Sequence, residues 1–243
     1  MARLPRLFAP ALAQLVTAQF APATTQLLST APDRTFKLLS TWLGQSAHQH
    51  HVSLHGWCIA SKGLYILATP SDSLGMSRLI QDLGRRLAAQ LKAGSVFSGR
   101  YRSTIPQPER WVLPCVIWLE RSPIREGLVD EPGQWLWSSA HSHTEGNDTR
   151  APWLQPHHDY WLCGNTPFAR QAAYREQLSA GNGAVIDQQI EAALRGQWGL
   201  GDQPFLAELT LCANRRVQPG ARGRPKRVTV QPHTVVESAP RAK

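Results

Sequence analysis

Metal-assisted chemistry needs side chains that converge on one ion, and covalent chemistry needs a phenol, thiol or hydroxyl beside it. Residues two apart on a strand face one side, about 7 Å from each other, so His-x-His on a strand is a ligand spacing. The chain has two such pairs, His48-Gln49-His50 and His141-Ser142-His143, and both fall in stretches that read as turns. His48, His50 and His51 cluster beside polar residues at the end of a predicted helix, which reads as a solvated turn. His51 and His55 are four apart, roughly 13 Å along a strand, too far to share an ion. Tyr65 and Tyr101 are the phenols in strand-like sequence. Cys58, Cys115, Cys163 and Cys212 are scattered with no Cys-x-x-Cys pair, so neither a zinc ribbon nor a disulfide framework is suggested and reduced thiols are expected.

The elements that must position these groups follow from periodicity. Leu12–Phe20 alternates as a strand, and Asp33–Gln49 puts Phe36, Leu39, Trp42 and Leu43 on one helical side. Val52–Ala60 and Leu64–Pro70 read as two strands joined at Ser61-Lys62-Gly63. Ser73–Leu91 is an amphipathic helix with Leu79, Ile80, Leu83 and Leu87 inward and Arg78, Arg85 and Arg86 outward. Val96–Thr104 is predicted as a further strand. Trp111, Cys115 and Trp118, at i, i+4 and i+7, mark one face of a helix opened by Pro106 and Pro108 and closed by Ser122-Pro123. Pro114 inside it is expected to remove a hydrogen bond and kink the axis. The order β-α-β-β-α-β predicts an α+β fold, a ferredoxin-like split β-α-β antiparallel sheet with helices on one face, plus a C-terminal helical extension and a basic tail. Domain boundaries are expected at 1–140 for the α+β domain, 141–214 for a linker and helical extension, and 215–243 for the tail. The polar run Ala140–Pro152 reads as loop, and 169–177 and 185–194 as helices.

A chain of 243 residues can bury a sizeable core. No apolar run approaches a membrane span, so no membrane association is expected. The basic, then apolar start MARLPRLFAPALAQLV is interrupted by Pro5, Pro10 and Gln14 and reads as an approach to the first strand rather than a signal peptide. Charge is unevenly placed. Residues 215–243 carry eight Lys/Arg against the single acid Glu237, so they supply seven of the nine net positive charges. Such a tail binds polyanions through counterion release, nucleic acid being the usual partner.

The stretch Gly99–Ser139 also carries a family resemblance. Gly99-Arg100-Tyr101-Arg102-Ser103-Thr104, Glu109-Arg110, Ser122-Pro123-Ile124-Arg125-Glu126-Gly127-Leu128-Val129 and Trp137-Ser138-Ser139 follow the pattern GRY-basic-ST, ER, NPVRAG(L/M)V, WSS. Leu154–Gly164, and Gly196, Trp198, Leu200, Gly201, Asp202 and Phe205 in Gly-x-Trp-x-Leu-Gly-Asp-x-x-Phe, continue the likeness in the same order. The chain thus resembles the REP-associated tyrosine transposases, a branch of the insertion-sequence single-tyrosine, HUH-type transposases. The resemblance implies a metal held by His-x-His on a central strand and a helix tyrosine that attacks a DNA phosphate. The shared Leu67-x-Thr69-Pro70 end sets the register, and the two ligand positions then hold Gly63 and Tyr65. Glycine offers no ligand and a phenol is a poor one for a hard divalent ion. The nucleophile position holds Trp118, whose indole N–H cannot attack. Ser122 replaces the usual Asn before the proline.

The resemblance therefore implies a DNA-binding protein of single-stranded or hairpin repeat DNA, with catalytic residues and metal ligands absent and no cofactor, where active members would use Mg or Mn. The alternative is an active transposase that cuts and joins single strands through a covalent phosphotyrosine. Arg85, Arg86, Arg100 and Arg102 are the expected DNA contacts of the folded part. In the tail, Arg222-Gly223-Arg224-Pro225-Lys226-Arg227 resembles an AT-hook, in which Gly and Pro let an extended chain lie in a narrow A·T minor groove between two arginines. A cytoplasmic, nucleoid-associated location is expected, and a homodimer is left open.

Overall fold

Alternation along one central strand divides the interior in two. In β3 (Gly63–Pro70), Leu64, Ile66 and Ala68 enter one core while Tyr65 and Leu67 face the other. The computed structural model describes residues 5–29, 32–146, 149 and 151–220. Over these the order is β1 (Gln14–Gln19), α1 (Pro22–Leu28), α2 (Pro32–Gln49), β2 (Val52–Ala60), β3, α3 (Gly75–Leu91), β4 (Arg102–Pro106), α4 (Val112–Glu120) and α5 (Ser122–Arg125). Then follow α6 (Ala140–Glu145), α7 (His158–Trp161), α8 (Pro167–Ala180), α9 (Ala184–Gly196), β5 (Gly199–Leu200) and α10 (Gln203–Cys212).

The sheet order is β2-β3-β1-β4-β5, antiparallel except for β5, which lies parallel to β4. Its first four strands have the split β-α-β topology expected from the sequence. Helices α2 and α3 cover one face, with Phe36, Leu39, Leu79 and Leu83 against Val16, Trp57 and Ile66. The other face is also covered. Cys115, Val116 and Leu119 of α4, Tyr174 and Leu178 of α8, and Ile190 and Leu194 of α9 pack on Leu15, Cys58 and Leu67. The sheet is thus buried on both faces rather than one, because the C-terminal helices close over α4.

Several expectations are corrected. The strand predicted over Val96–Thr104 is only Arg102–Pro106; its first part touches the sheet through a lone bridge, Phe97 to Phe20. Gly94 and Gly99 on either side of Phe97 leave that run without a continuous apolar face. Pro114 is the third residue of α4, in the first turn, where the helix has no intrahelical acceptors for its N–H groups, so no bond is lost. Cys115 N–H donates normally to Trp111 O at 3.0 Å. The run read as loop after Ser139 begins with a helix, and the predicted His141–His143 turn lies within it. His143 is 1% exposed, with Nδ1 2.6 Å from Glu120 Oε1. Glu120, fully buried at the end of α4, also accepts from Ser139 Oγ at 2.5 Å and Tyr174 Oη at 2.6 Å. This carboxylate holds α4, α6, α8 and the Trp-Ser-Ser segment in one register.

The tail boundary also moves. Val217 is 1% exposed in a third core with Leu7, Ala9, Ile105, Leu206 and Leu209, and its carbonyl accepts from Gly199 N–H at 2.9 Å. The packed body thus runs past Arg215, which was assigned to the tail. Removing residues 221–243 should leave the unfolding midpoint unchanged. Removing residues 215–243 should cost about 1.5–3 kcal/mol, the burial of one valine-sized side chain. Chemical denaturation of the two truncations separates these expectations, and equal stability would show that Val217 contributes nothing. Among the described residues no helix is long and apolar enough to cross a membrane.

Candidate functional site

Gly63 opens β3 directly after the Ser61-Lys62 turn, so Gly63 and Tyr65 share the face that meets α4. Tyr65 stands edge-on to Trp118, ring centroids 5.8 Å apart and planes at 75°. The register read from Leu67-x-Thr69-Pro70 is thus consistent with what these positions do in three dimensions: strand residue 65 faces helix residue 118.

Each of the three positions is tied into packing. At Gly63 a Cβ would sit 2.5 Å from Ala18 O and 3.0 Å from Gln19 Cα, both backbone atoms of β1. Any side chain there must displace the neighbouring strand. Tyr65 Oη donates to Glu126 Oε1 at 2.8 Å. Glu126 Oε2 accepts from Ser61 Oγ at 2.6 Å and from Lys62 N–H at 2.9 Å, which fastens the β2–β3 turn to the end of α5. Burial first, and then the Glu126 charge, push the Tyr65 phenol well above its ordinary value. It is a proton donor to Glu126 rather than a phenolate. Trp118 is 5% exposed, and the Arg125 guanidinium lies 4.2 Å from its ring centroid. Arg125 also donates to Trp118 O at 2.5 Å and to Ser122 Oγ at 2.8 Å. Ser122 Oγ is therefore an acceptor that holds this arginine.

The divalent ion implied by the resemblance does not fit these residues. One ligand position has no side chain and no room for one, and the other is a phenol committed to a carboxylate. Among the described residues no group of three or more His, Cys, Asp or Glu side chains could hold a metal ion. The thiols offer no substitute chemistry at this face, since burial raises both Cys58 and Cys115 above the ordinary thiol range.

Around the Tyr65–Trp118 pair opens a cleft of about 490 Å³. Lys62, Arg102, Arg125 and Arg195 line it, together with Glu126 and Glu191. Sequence reasoning missed Lys62, Arg125, Glu126, Glu191 and Arg195. One signal was present: where the family pattern has Arg-Ala-Gly the chain reads Arg125-Glu126-Gly127, and position 65 departs from the pattern too. The two departures make one hydrogen bond.

The expected DNA contacts separate into groups. Arg85 and Arg86 lie on α3, over the opposite face of the sheet, and both pair with Asp82, at 3.4 and 3.1 Å. Arg102 lines the cleft, and Arg100 stands just before β4. Arg222, Gly223, Arg224, Pro225, Lys226 and Arg227 lie outside the described residues.

No family model and no curated protein matches the sequence. Among solved structures, that of a REP-associated tyrosine transposase bound to a REP hairpin is similar. Its TM-score is 0.52 at 15% identity, and the match covers 64% of this chain and 89% of that chain. The four-stranded split β-α-β sheet with Tyr65 facing Trp118 across its second layer is therefore built on a fold shared with a REP-associated tyrosine transposase, the family its sequence motifs resemble.

Proposed function

We propose that this protein binds DNA, in particular single-stranded or hairpin DNA, without cutting it. The reading rests on one observation above the others: Tyr65 and Trp118, at a position matched to a ligand and at the one matched to the nucleophile, are locked in place by each other and by Glu126 and Arg125, inside a cleft rimmed by basic side chains. A site specialised for cleavage keeps its nucleophile deprotonable and its metal ligands free. Here the phenol is held protonated, the indole cannot attack and the glycine position is filled by backbone. What remains useful is charge. Lys62, Arg102 and Arg195 can neutralise phosphates along a strand, and the solved structure of similar fold carries a DNA hairpin. The tail, with its AT-hook-like run, would add affinity for A·T-rich duplex.

The test uses labelled hairpin DNA with a single-stranded extension, incubated with the protein in magnesium or manganese. Binding should be visible by anisotropy and steeply salt-dependent, while a denaturing gel shows intact DNA and no covalent adduct. A metal-dependent adduct on any tyrosine would overturn the reading, and so would failure to bind DNA at low salt.

A further inference from the structure

A second cleft, of about 390 Å³, lies beside the first and is lined by four arginines that arrive from three distant parts of the chain. Arg6 comes from the segment before β1, Arg100 and Arg102 from the approach to β4, and Arg215 from beyond α10. None of the four makes an ion pair with a carboxylate among the described residues. Two of the four are nonetheless held in place. Arg6 stacks 4.1 Å from the Tyr101 ring centroid and Arg215 5.3 Å from that of Trp198. Gln197 spans the two: its Oε1 accepts from Arg6 Nη1 at 2.6 Å, and its carbonyl accepts from Arg215. Gln197 achieves this at φ 57°, in the left-handed turn that ends α9.

Gathering guanidinium groups without a carboxylate is unfavourable in an empty cleft. The Nε–H groups of Arg6 and Arg215 are also buried with no acceptor among the described residues. Burial, with the charge of Arg100 and Arg215 adding to it, lowers the Arg6 pKa, so this group is under electrostatic pressure. An anion seated among the four guanidinium groups relieves their mutual repulsion, and phosphate is the anion whose oxygens best match guanidinium donors.

We infer that the cleft formed by Arg6, Arg100, Arg102 and Arg215 seats a backbone phosphate of the DNA strand that occupies the Tyr65–Trp118 cleft. The two clefts adjoin at Arg102, which lines both. This inference rests on the DNA-binding reading and adds an address to it. A strand leaving the first cleft passes Arg102 and arrives at the arginines, while the following segment from Arg216 leads on toward the basic tail.

The decisive variant is Arg100→Gln/Arg215→Gln in the full chain, which spares the Tyr65–Trp118 cleft. Against a hairpin with a single-stranded extension, affinity should fall about tenfold, equivalent to about 1.4 kcal/mol. The plot of log K against log salt should flatten by about 0.7 for each phosphate no longer neutralised. Arg100→Gln alone, an exposed change, should give part of both effects with the unfolding midpoint unchanged, which guards against a folding defect. Unaltered affinity and slope in both variants would overturn the inference while leaving DNA binding intact. If the parent protein binds no DNA, the proposed function fails, and titration calorimetry with inorganic pyrophosphate decides about the cleft. Heat of binding lost in the double variant keeps it as a phosphate site, and no heat in the parent protein ends the inference.

Discussion

Replacing Glu120 with alanine should cost about 3–5 kcal/mol of folding stability, because three buried donors lose their acceptor and each stranded polar group costs about 1–3 kcal/mol. The carboxylate is fully buried and is the shared acceptor of Ser139, His143 and Tyr174, all within 2.6 Å. Alanine strands three polar groups from three different elements in a medium where none can reach water. Burial, and the Glu120 charge after it, hold the Tyr174 phenol well above its usual value, so this donor stays protonated across the working range. Glu120→Gln keeps the shape and one acceptor oxygen but turns an amide N–H₂ toward donors, and an intermediate loss is expected. Urea unfolding followed by tryptophan fluorescence measures both. A loss below about 1 kcal/mol for the alanine variant would mean that α4 is held by its apolar contacts alone.

The second large effect is expected at the start of β3. Installing the residues that the family pattern carries at these positions, Gly63→His with Tyr65→His and Trp118→Tyr, should yield a destabilised protein with no cleavage. The histidine Cβ at position 63 would meet Ala18 O at 2.5 Å and Gln19 Cα at 3.0 Å, and main chain cannot swing aside as a side chain does. Forcing extra atoms into such a site costs about 1–3 kcal/mol or more. Tyr65→His releases Glu126 as well, which then serves only the Ser61-Lys62 turn. Tyr65→His/Trp118→Tyr without the change at Gly63 should keep most of the stability and isolate the steric cause. Thermal unfolding and a denaturing gel with labelled single-stranded DNA and manganese report on the two halves of this expectation. An unchanged midpoint in the triple variant would show that β1 yields easily, and adduct formation would show a scaffold still organised for cleavage.

The first half of the fold was legible because its signals are local. Alternation in residues 52–70 and the leucine stripe of α3 depend on neighbours a few positions away, and both elements lie where periodicity puts them. The second half obeys partners far off in sequence. Ala140–Glu145 looks like a polar loop until Glu120 is placed beside His143, and Val217 looks like tail until Leu7 and Leu209 surround it. The same holds at the site. Tyr65 and Trp118 come from motif register, whereas Glu126 matters only through contacts 61 to 65 residues back. Pro114 looks like a helix interior residue only while the helix is started at Pro106 and Pro108; α4 begins at Val112, which puts this proline in its first turn.

The seam where Asn214 meets the opening segment governs when the molecule is finished. Asn214 accepts from Phe8 N–H at 2.9 Å and donates to Arg6 O at 2.9 Å, across a separation of up to 208 residues. During synthesis the segment around Arg6 must wait for one some two hundred residues later, and closing so large a loop is slow relative to the local hairpin of β2 and β3. The sheet and its two main cores can assemble meanwhile, leaving Leu7 and Ala9 exposed as a sticky flap with β4 uncapped by β5. Arg6 and Arg215 come together in the same closing step. The arginine cleft is therefore absent from any chain that stops short of Arg215, and an anion seated in it would stabilise the closed seam against reopening. The cleft is thus complete only once residues 6 and 215 have met, which makes it a late feature of the fold.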